Sequence, residues 1–276
     1  MIKRILVGLA GTTYTPAAIE RAVTLAKAHS AEVTGVTVLD MRRVRSQGGV
    51  VPPPWEDANA IRDRRQALTE TRIAQSIREF EEACITAQIK HQVIEETGDP
   101  FSKLVDLARY HDLMVFGLRS VFEWDFLGGA PQELLMQLVS AGVQPIIAVS
   151  EKFRPISRVL IAYNGSMESA KAMKRFVQMR LWPDAALKVV TFHPSDHEAY
   201  KLLVAAEGYC RTHGYHVEHQ SNPGQAKDSL LAAANLWRAD MIVMGNSARS
   251  VWMRRILGDT FLNVVSQTEL PLFLAQ

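Results

Sequence analysis

The two halves of this chain carry the same succession of sequence motifs. Residues 4–12 read RILVGLAGT and residues 158–166 read RVLIAYNGS, at a constant offset of 154 positions. Further along, DLMVFG at 112–117 is matched by DMIVMG at 240–245. A duplicated sequence predicts two copies of one fold, and 276 residues divide into two domains of ordinary size. Either copy then serves as an internal control, because a feature that one copy has lost can persist in the other.

Each half closes on a proline followed by an apolar run, PIIAV at 145–149 and PLFLA at 271–275. We therefore place the boundary after residue 151 and predict domains 1–151 and 152–276. The halves differ in one long block, about 41–68, which has no counterpart in the second half. Two interpretations of this block stay open: a surface loop that runs into the next helix, or a lid or docking loop for a partner protein.

Composition sets broad limits on the class of protein. Apolar residues make up 47% and charged residues 22% of the chain, which is ordinary for a soluble globular protein. The net charge of +2 gives no argument for a nucleic-acid partner, and no apolar run approaches the roughly 18 residues of a membrane span. The first residues lead directly into a predicted strand, and two cysteines in separate halves do not suggest a disulfide framework. We therefore expect a cytoplasmic protein without a signal peptide, membrane span or bound nucleic acid.

Short apolar runs alternate with stretches of helical periodicity along both halves. The runs predict strands in the first half near 5–9, 32–39, 89–94, 113–116 and 146–149, and in the second near 158–163, 187–192, 215–219, 240–244 and 272–275. Strands that alternate with helices form parallel sheets covered on both faces. The sequence therefore predicts an α/β protein with two tandem Rossmann-like or flavodoxin-like domains. Each is expected to hold a five-stranded, mainly parallel sheet with helices on both faces.

The turns after the first and fourth strands of the second half have the composition of an anion site. In a parallel sheet, ligands bind outside the carboxyl ends of the strands, where the strand order reverses. One turn is Asn164–Ser166, and the other runs as GNSARSVWMRRILGDT from Gly245 to Thr260. Small residues let backbone amides approach an anion, and a last helix beginning near Thr260 would add unpaired amides. Three arginines against the single Asp259 leave the loop net positive, so it is predicted to cradle a phosphate.

This spacing resembles the universal stress protein family, whose nucleotide-binding members carry Gly, two residues, Gly, nine residues, Gly, and then Ser or Thr. The run VLIAYNGS at 159–166, the GDP helix start at 98–100 and the proline-led last strand are also similar to that family. The resemblance covers essentially the whole chain as a tandem pair. It implies that the final strands of the two halves meet in an antiparallel contact, which would make one chain an internal pseudo-dimer. A further homodimer is left open.

The resemblance also implies roles for individual residues. Asn164 occupies the place of an acidic residue that faces the ribose, Phe192 would cover the adenine, and Met244 would line its pocket. The first-half equivalents of Asn164 and Phe192 are Ala10 and Val38. The full set of implied nucleotide-binding residues is Asn164, Gly165, Ser166, Phe192, Met244, Gly245, Ala248, Arg249, Gly258, Asp259 and Thr260.

Asp259 departs from the family pattern, because it stands where a hydroxyl donor to phosphate is expected. A carboxylate about 4 Å from a phosphate oxygen costs ~1–4 kcal/mol at effective dielectric constants of 80 to 20. A helix N-terminus returns only roughly 0.3–1 kcal/mol. Asp259 is therefore expected to cap the last helix, to turn away, or to share a magnesium ion with the phosphate.

The first half has a poorer phosphate loop than the second. Gly117 is followed too early by Gly128 and Gly129, and acidic and aromatic residues alternate over 122–126. That loop is more typical of packing or of an interface. Among other candidates, His193 and His197 have the spacing of metal ligands, but Pro194 interrupts a helix between them. Ser166, Ser169 and Ser247 lack convincing His and Asp partners for nucleophilic catalysis.

Three functional hypotheses follow. The first is a cytoplasmic stress-response protein that binds ATP or a related adenine nucleotide, with or without Mg²⁺, in the second half and that is not an enzyme. The second is a ligand-free interaction protein that acts through the first-half block and aromatic loop. The third is a slow hydrolase that uses Asp259 and a metal.

Overall fold

The chain folds into two compact units, and each is built from alternating strands and helices. The first unit spans Ile2–Leu138 and the second spans Val139–Gln276. The computed structural model describes residues 2–39, 58–119, 121, 133–142, 144–245 and 254–276. Within these residues, no helix has both the length and the apolarity needed to cross a bilayer.

The first unit contains a parallel sheet in the order β3-β2-β1-β4. The central strand β1 is buried almost throughout, as its continuous apolar sequence predicts. The elements in chain order are β1 (Arg4–Gly8), α1 (Thr15–His29), β2 (Glu32–Leu39), α2 (Ala58–Thr86), β3 (His91–Thr97), α3 (Pro100–Ala108), β4 (Leu113–Gly117) and α4 (Glu133–Ala141), which begins in this unit.

The second unit contains strands in the order β5-β10-β9-β6-β7-β8. All neighbours are parallel except β5 and β10, which are antiparallel with Ile147 opposite Phe273. The elements are β5 (Ile146–Val149), β6 (Arg158–Ala162), α5 (Met167–Met179), β7 (Ala186–Phe192), α6 (Asp196–Thr212), β8 (Val217–Asn222), α7 (Ala226–Leu236), β9 (Met241–Gly245), α8 (Arg254–Gln267) and β10 (Leu272–Ala275).

The predicted fold class is confirmed, and so is the antiparallel pairing of the last strands of the two halves. The division between compact units precedes β5, whereas the sequence repeat ends after it. The reason is the pairing itself, because β5 hydrogen-bonds to β10 within the second unit. The domain boundary after residue 151 describes the repeat and stays a prediction.

A repeated aspartate holds the start of the first strand in each copy. Asp112 Oδ2 accepts hydrogen bonds from the backbone amides of Lys3 at 2.7 Å and Arg4 at 3.0 Å. Asp240 Oδ2 accepts equivalent bonds from Ser157 and Arg158, both at 2.9 Å. These aspartates lie at the amino ends of the strands, so this part of the repeated motif is explained by folding.

Two helices begin earlier than the sequence predicts. The sequence predicts that the block at about 41–68 is a loop that runs into the next helix, or a lid or docking loop, but helix α2 begins at Ala58, so the last part of that block is helical. Residues 41–57 of that block lie outside the described residues. Helix α8 begins at Arg254 instead of near Thr260. Both starts lie in charged or mixed segments, where helical propensity by itself is weak evidence for the position of a helix start.

Candidate functional site

A pocket lies where the strand order of the second unit reverses. Strand β6 is followed by β7 on one side, and its other neighbour β9 is followed by β10 on the opposite side. The pocket opens at the carboxyl ends of these strands and has a cavity volume of about 80 Å³. That position is typical of a small-molecule site. Its lining residues are Ala162, Tyr163, Asn164, Ser166, Glu168, Ser169, Phe192, Ala226, Leu230, Met244, Gly245 and Thr260.

The turn after β6 is organised by a glycine and a capping serine. Gly165 has a φ of +77°, which favours glycine, and its counterpart Gly11 in the first unit has +66°. Ser166 Oγ accepts a hydrogen bond from Ser169 N at 3.2 Å and so caps helix α5. Ser166 N in turn donates to Asn164 Oδ1 at 3.1 Å. This local network directs the turn between the strand and the helix toward the pocket.

Asn164 presents a different group from the carboxylate that it replaces. Its side-chain oxygen is engaged by Ser166 N, and no hydrogen bond among the described residues uses its NH₂ group. The residue is exposed at the pocket wall. An amide NH₂ donates hydrogen bonds only, so this group of Asn164 can donate to a ligand oxygen but cannot accept from a ligand hydroxyl.

Gly245 is required by packing at the end of β9. A Cβ built on it would lie 2.4 Å from the backbone oxygen of Glu168 and 2.9 Å from Ser169 N. Both of those atoms belong to the backbone of the α5 N-terminus, which cannot move aside as a flexible side chain does. The glycine therefore lets β9 and α5 approach closely, whether or not its amide also faces a ligand.

One side of the pocket is apolar. Met244 is 5% exposed and Leu230 is fully buried, while Phe192 is half-buried at the end of β7. Tyr163 lies beside them, and burial raises the pKa of its hydroxyl above the ordinary value of 10.0. Its O–H therefore stays protonated at neutral pH and can donate a hydrogen bond. Such a wall fits a flat aromatic group with polar edges.

The other side is polar and is formed by residues of two helices. Glu168 and Ser169 come from α5, and Thr260 comes from α8. Glu168 is the only charged residue among the described lining residues. A carboxylate at this position accepts hydrogen bonds from amino or hydroxyl groups and disfavours a phosphate placed directly against it.

The structure changes the interpretation of the predicted phosphate loop. Because α8 begins at Arg254, Gly258 and Asp259 lie inside the helix, and Asp259 is not its N-cap. Helical amides after the first turn bond to carbonyls four residues earlier, so Gly258 does not offer a free amide to a phosphate. A single glycine inside a helix costs about 1 kcal/mol, which flanking helix-forming residues can offset. Ala248 and Arg249 lie outside the described residues.

The same crevice in the first unit is filled by side chains. Phe116, the counterpart of Met244, is fully buried, and a Cβ on Gly8 would lie 2.6 Å from its ring. Ala10 is 2% exposed and Val38 is fully buried, whereas their counterparts in the second unit line the pocket. Among the residues that the structure describes, side chains of the first copy therefore pack at positions whose counterparts line a cavity in the second copy.

The sequence predicted Asn164, Ser166, Phe192, Met244, Gly245 and Thr260 near one another, and all six line the pocket. Gly165 is not among the lining residues; the position of its missing Cβ faces Leu202 on α6 at 2.7 Å. Sequence reasoning missed Ala162, Tyr163, Glu168, Ser169, Ala226 and Leu230. Several of these belong to the first turns of helices that follow β6 and β8. In a parallel sheet, ligands bind at the carboxyl ends of the strands where the strand order reverses, and these helix starts lie at that same edge. The sequence could therefore have indicated these residues as well.

The alternative sites receive no geometric support from the described residues. These residues contain no group of three or more His, Cys, Asp or Glu side chains that could hold a metal ion. His193 Nδ1 accepts a hydrogen bond from Ser195 N at 3.1 Å and so belongs to a local turn. The aromatic loop at 122–126 and most of the 41–68 block lie outside the described residues.

The two halves both match one known family. The model of the universal stress protein family matches residues 1–136 and 196–276. The chain belongs to the universal stress protein family. A curated universal stress protein from Synechocystis sp. is 25% identical over 185 residues, which is 65% of this chain and only 63% of that relative's length.

Solved structures show that the universal stress protein fold extends over the whole chain. A universal stress protein from Archaeoglobus fulgidus DSM 4304 matches with a TM-score of 0.71 and 19% identity, over 99% of this chain and 96% of that one. A functionally unknown protein from Pseudomonas aeruginosa PAO1 matches with a TM-score of 0.58 and 16% identity, over 99% of this chain and 92% of that one.

Proposed function

We propose that this universal stress protein binds an adenine nucleotide, such as ATP, in the crevice of the second unit, with little or no turnover. The proposal places its action in the cytoplasmic stress response. The observation that carries it is the contrast between the two copies: the crevice is a lined pocket in the second unit and is filled by Phe116 in the first. A duplicated scaffold that keeps one crevice open supports binding by that copy.

The described walls suit the nucleoside part of such a ligand. Phe192 and Met244 offer an apolar surface to a base, and Asn164 offers an NH₂ donor at the strand end where a ribose would lie. We place the phosphates at Thr260, whose hydroxyl can donate a hydrogen bond to a phosphate oxygen. Binding as proposed does not require Mg²⁺, so it is measured with and without the metal.

The proposal is tested by filling the pocket with residues of the first copy. Met244→Phe combined with Ala162→Gly reproduces Phe116 and Gly8, so the ring has the space that it needs. We expect the wild type to be stabilised by ATP, AMP or adenosine, by about 2.7 kcal/mol when the ligand is at 100 times its Kd. The double variant should show no such stabilisation. Thermal unfolding with and without Mg²⁺ measures both.

The single variant Ala162→Gly is the matched control, because it only removes a methyl group from the pocket wall. It should keep the ligand response, although a glycine in a strand costs about 0.5–1 kcal/mol of stability. A wild type that shows no shift with any adenine compound at millimolar concentration would rule out the proposal. So would a folded double variant that keeps the full shift. Steady phosphate release by the wild type would contradict the absence of turnover.

A further inference from the structure

Helix α5 carries three cations along one exposed stripe. Lys171, Lys174 and Arg175 are all exposed, and their spacing of three and four residues places them side by side on the helix. None of the three forms a salt bridge with a carboxylate in the described part of the chain. Arg175 Nη2 donates to Gln144 Oε1 at 3.1 Å, and Lys174 Nζ lies 5.9 Å from the centre of the Tyr209 ring.

The stripe forms one wall of a groove within the second unit. The groove has a cavity volume of about 270 Å³. The opposite wall is the rim where the chain enters β5 and leaves β10. The lining residues are Gly142, Gln144, Pro145, Lys171, Lys174, Arg175, Gln178, Ala275 and Gln276. Lys171, Lys174 and Arg175 thus line one concavity together with Gln144, and this groove shares no lining residue with the pocket beside Asn164 and Met244.

The first copy of the repeat does not have this surface. At the offset of 154 positions, Lys171 is replaced by Ala17 and Lys174 by Glu20. The third position is conserved in type, but Arg21 is 2% exposed whereas Arg175 is exposed. The scaffold therefore does not require cations on this face of the helix. Like charges at these spacings destabilise a helix by about 0.2–0.5 kcal/mol per pair, so their presence in the second copy needs a reason other than folding.

We propose that this groove binds a multivalent phosphate group of a small molecule. Lysine serves as a point charge for phosphate, and an arginine adds directed N–H donors, so the pair of types suits a compact anion with several oxygens. The NH₂ group of Gln144, whose oxygen is held by Arg175, adds a neutral donor on the facing wall. The binding is independent of the nucleotide pocket and holds whether or not that pocket takes a nucleotide.

The test is calorimetric titration of the full chain with pyrophosphate at low ionic strength. Lys174→Glu introduces the residue type of the equivalent position in the first copy, Glu20. Lys171→Ala does the same for its own equivalent position, Ala17. We expect Lys174→Glu to weaken binding at least about tenfold and Lys171→Ala about threefold, since each removes attraction at close range. The matched control is Lys27→Glu, which makes the same change of charge on the exposed surface of α1 and should change the affinity less than about twofold.

Several outcomes would overturn the assignment. Wild-type protein that does not bind pyrophosphate at millimolar concentration excludes the site. Equal weakening by Lys174→Glu and Lys27→Glu would show a general effect of charge. Citrate binding as tightly as pyrophosphate would show that the groove does not select phosphate. Both α5 substitutions are on exposed positions, and a melting temperature close to that of the wild type confirms that a loss of binding is not a loss of folding.

Discussion

At the scale of single residues, equivalent positions in the two copies pack against different neighbours. Gly8 allows the ring of Phe116 to fill the first crevice, whereas Ala162 and Met244 leave the second one lined but not closed. Gly245 has a different role: β9 approaches the backbone of α5 so closely at this position that a Cβ would overlap it. A glycine that matches a phosphate-loop pattern can therefore be explained by packing.

Gly245→Ala is expected to lower the free energy of unfolding by about 1–3 kcal/mol or more, because its Cβ would overlap the backbone of Glu168. The control is Gly208→Ala in helix α6, where nothing lies within 4 Å of an added Cβ. That change should raise stability by about 0.5–1 kcal/mol through helix propensity. Urea denaturation measures both. A Gly245→Ala protein as stable as the wild type would contradict the close packing of β9 on α5.

At the scale of elements, the helices that follow the third strand of each copy begin differently. Helix α3 is capped by Asp99, whose carboxylate accepts from Ser102 N at 2.9 Å and Ser102 Oγ at 2.6 Å. Helix α7 starts after Gln225, which makes no side-chain capping bond. A glutamine side chain is a poor cap, so the first turn of α7 lacks the side-chain carboxylate that caps α3.

Gln225→Asp should stabilise the protein by roughly 0.5–1 kcal/mol, because it copies the cap of α3 and places a negative charge at a helix N-terminus. Asp99→Ala should have the opposite sign, with a loss of about 1 kcal/mol. Thermal unfolding at neutral pH measures the two changes. If Asp99→Ala is neutral, or if Gln225→Asp is destabilising, side-chain capping does not distinguish these two helix starts.

At the scale of the whole molecule, the sequence repeat and the compact units divide the chain at different places. Strand β5 belongs to the first half by sequence but pairs with β10 in the second unit. The residues of β10 are buried, with Leu272, Phe273 and Leu274 at 0% exposed. Removing β5 would leave an apolar strand with unpaired backbone groups at the edge of the sheet, which favours aggregation.

Two fragments test this division. The fragment 139–276 retains β5. The fragment 152–276 begins at the boundary of the sequence repeat and lacks β5. We expect the longer fragment to be more soluble and more resistant to urea, because it keeps the hydrogen bonds between β5 and β10. Size-exclusion chromatography and urea denaturation give the comparison. Equal behaviour of the two fragments would show that the compact unit does not depend on β5.

The sequence by itself determined the duplication, the strands of the described residues and the family, and it predicts the edge of the sheet at which we expect a ligand to bind. These features depend on the local periodicity of the sequence and on the geometry of parallel sheets, and both can be inferred from the sequence alone. The start of α8 at Arg254 could not be predicted, because the spacing of small residues is compatible with both a loop and a helix that contains Gly258. Only the tertiary structure decided that the first crevice is full and the second open. That difference depends on whether Phe116 or Met244 meets a glycine or an alanine on the neighbouring strand, and such contacts form only when distant segments pack together.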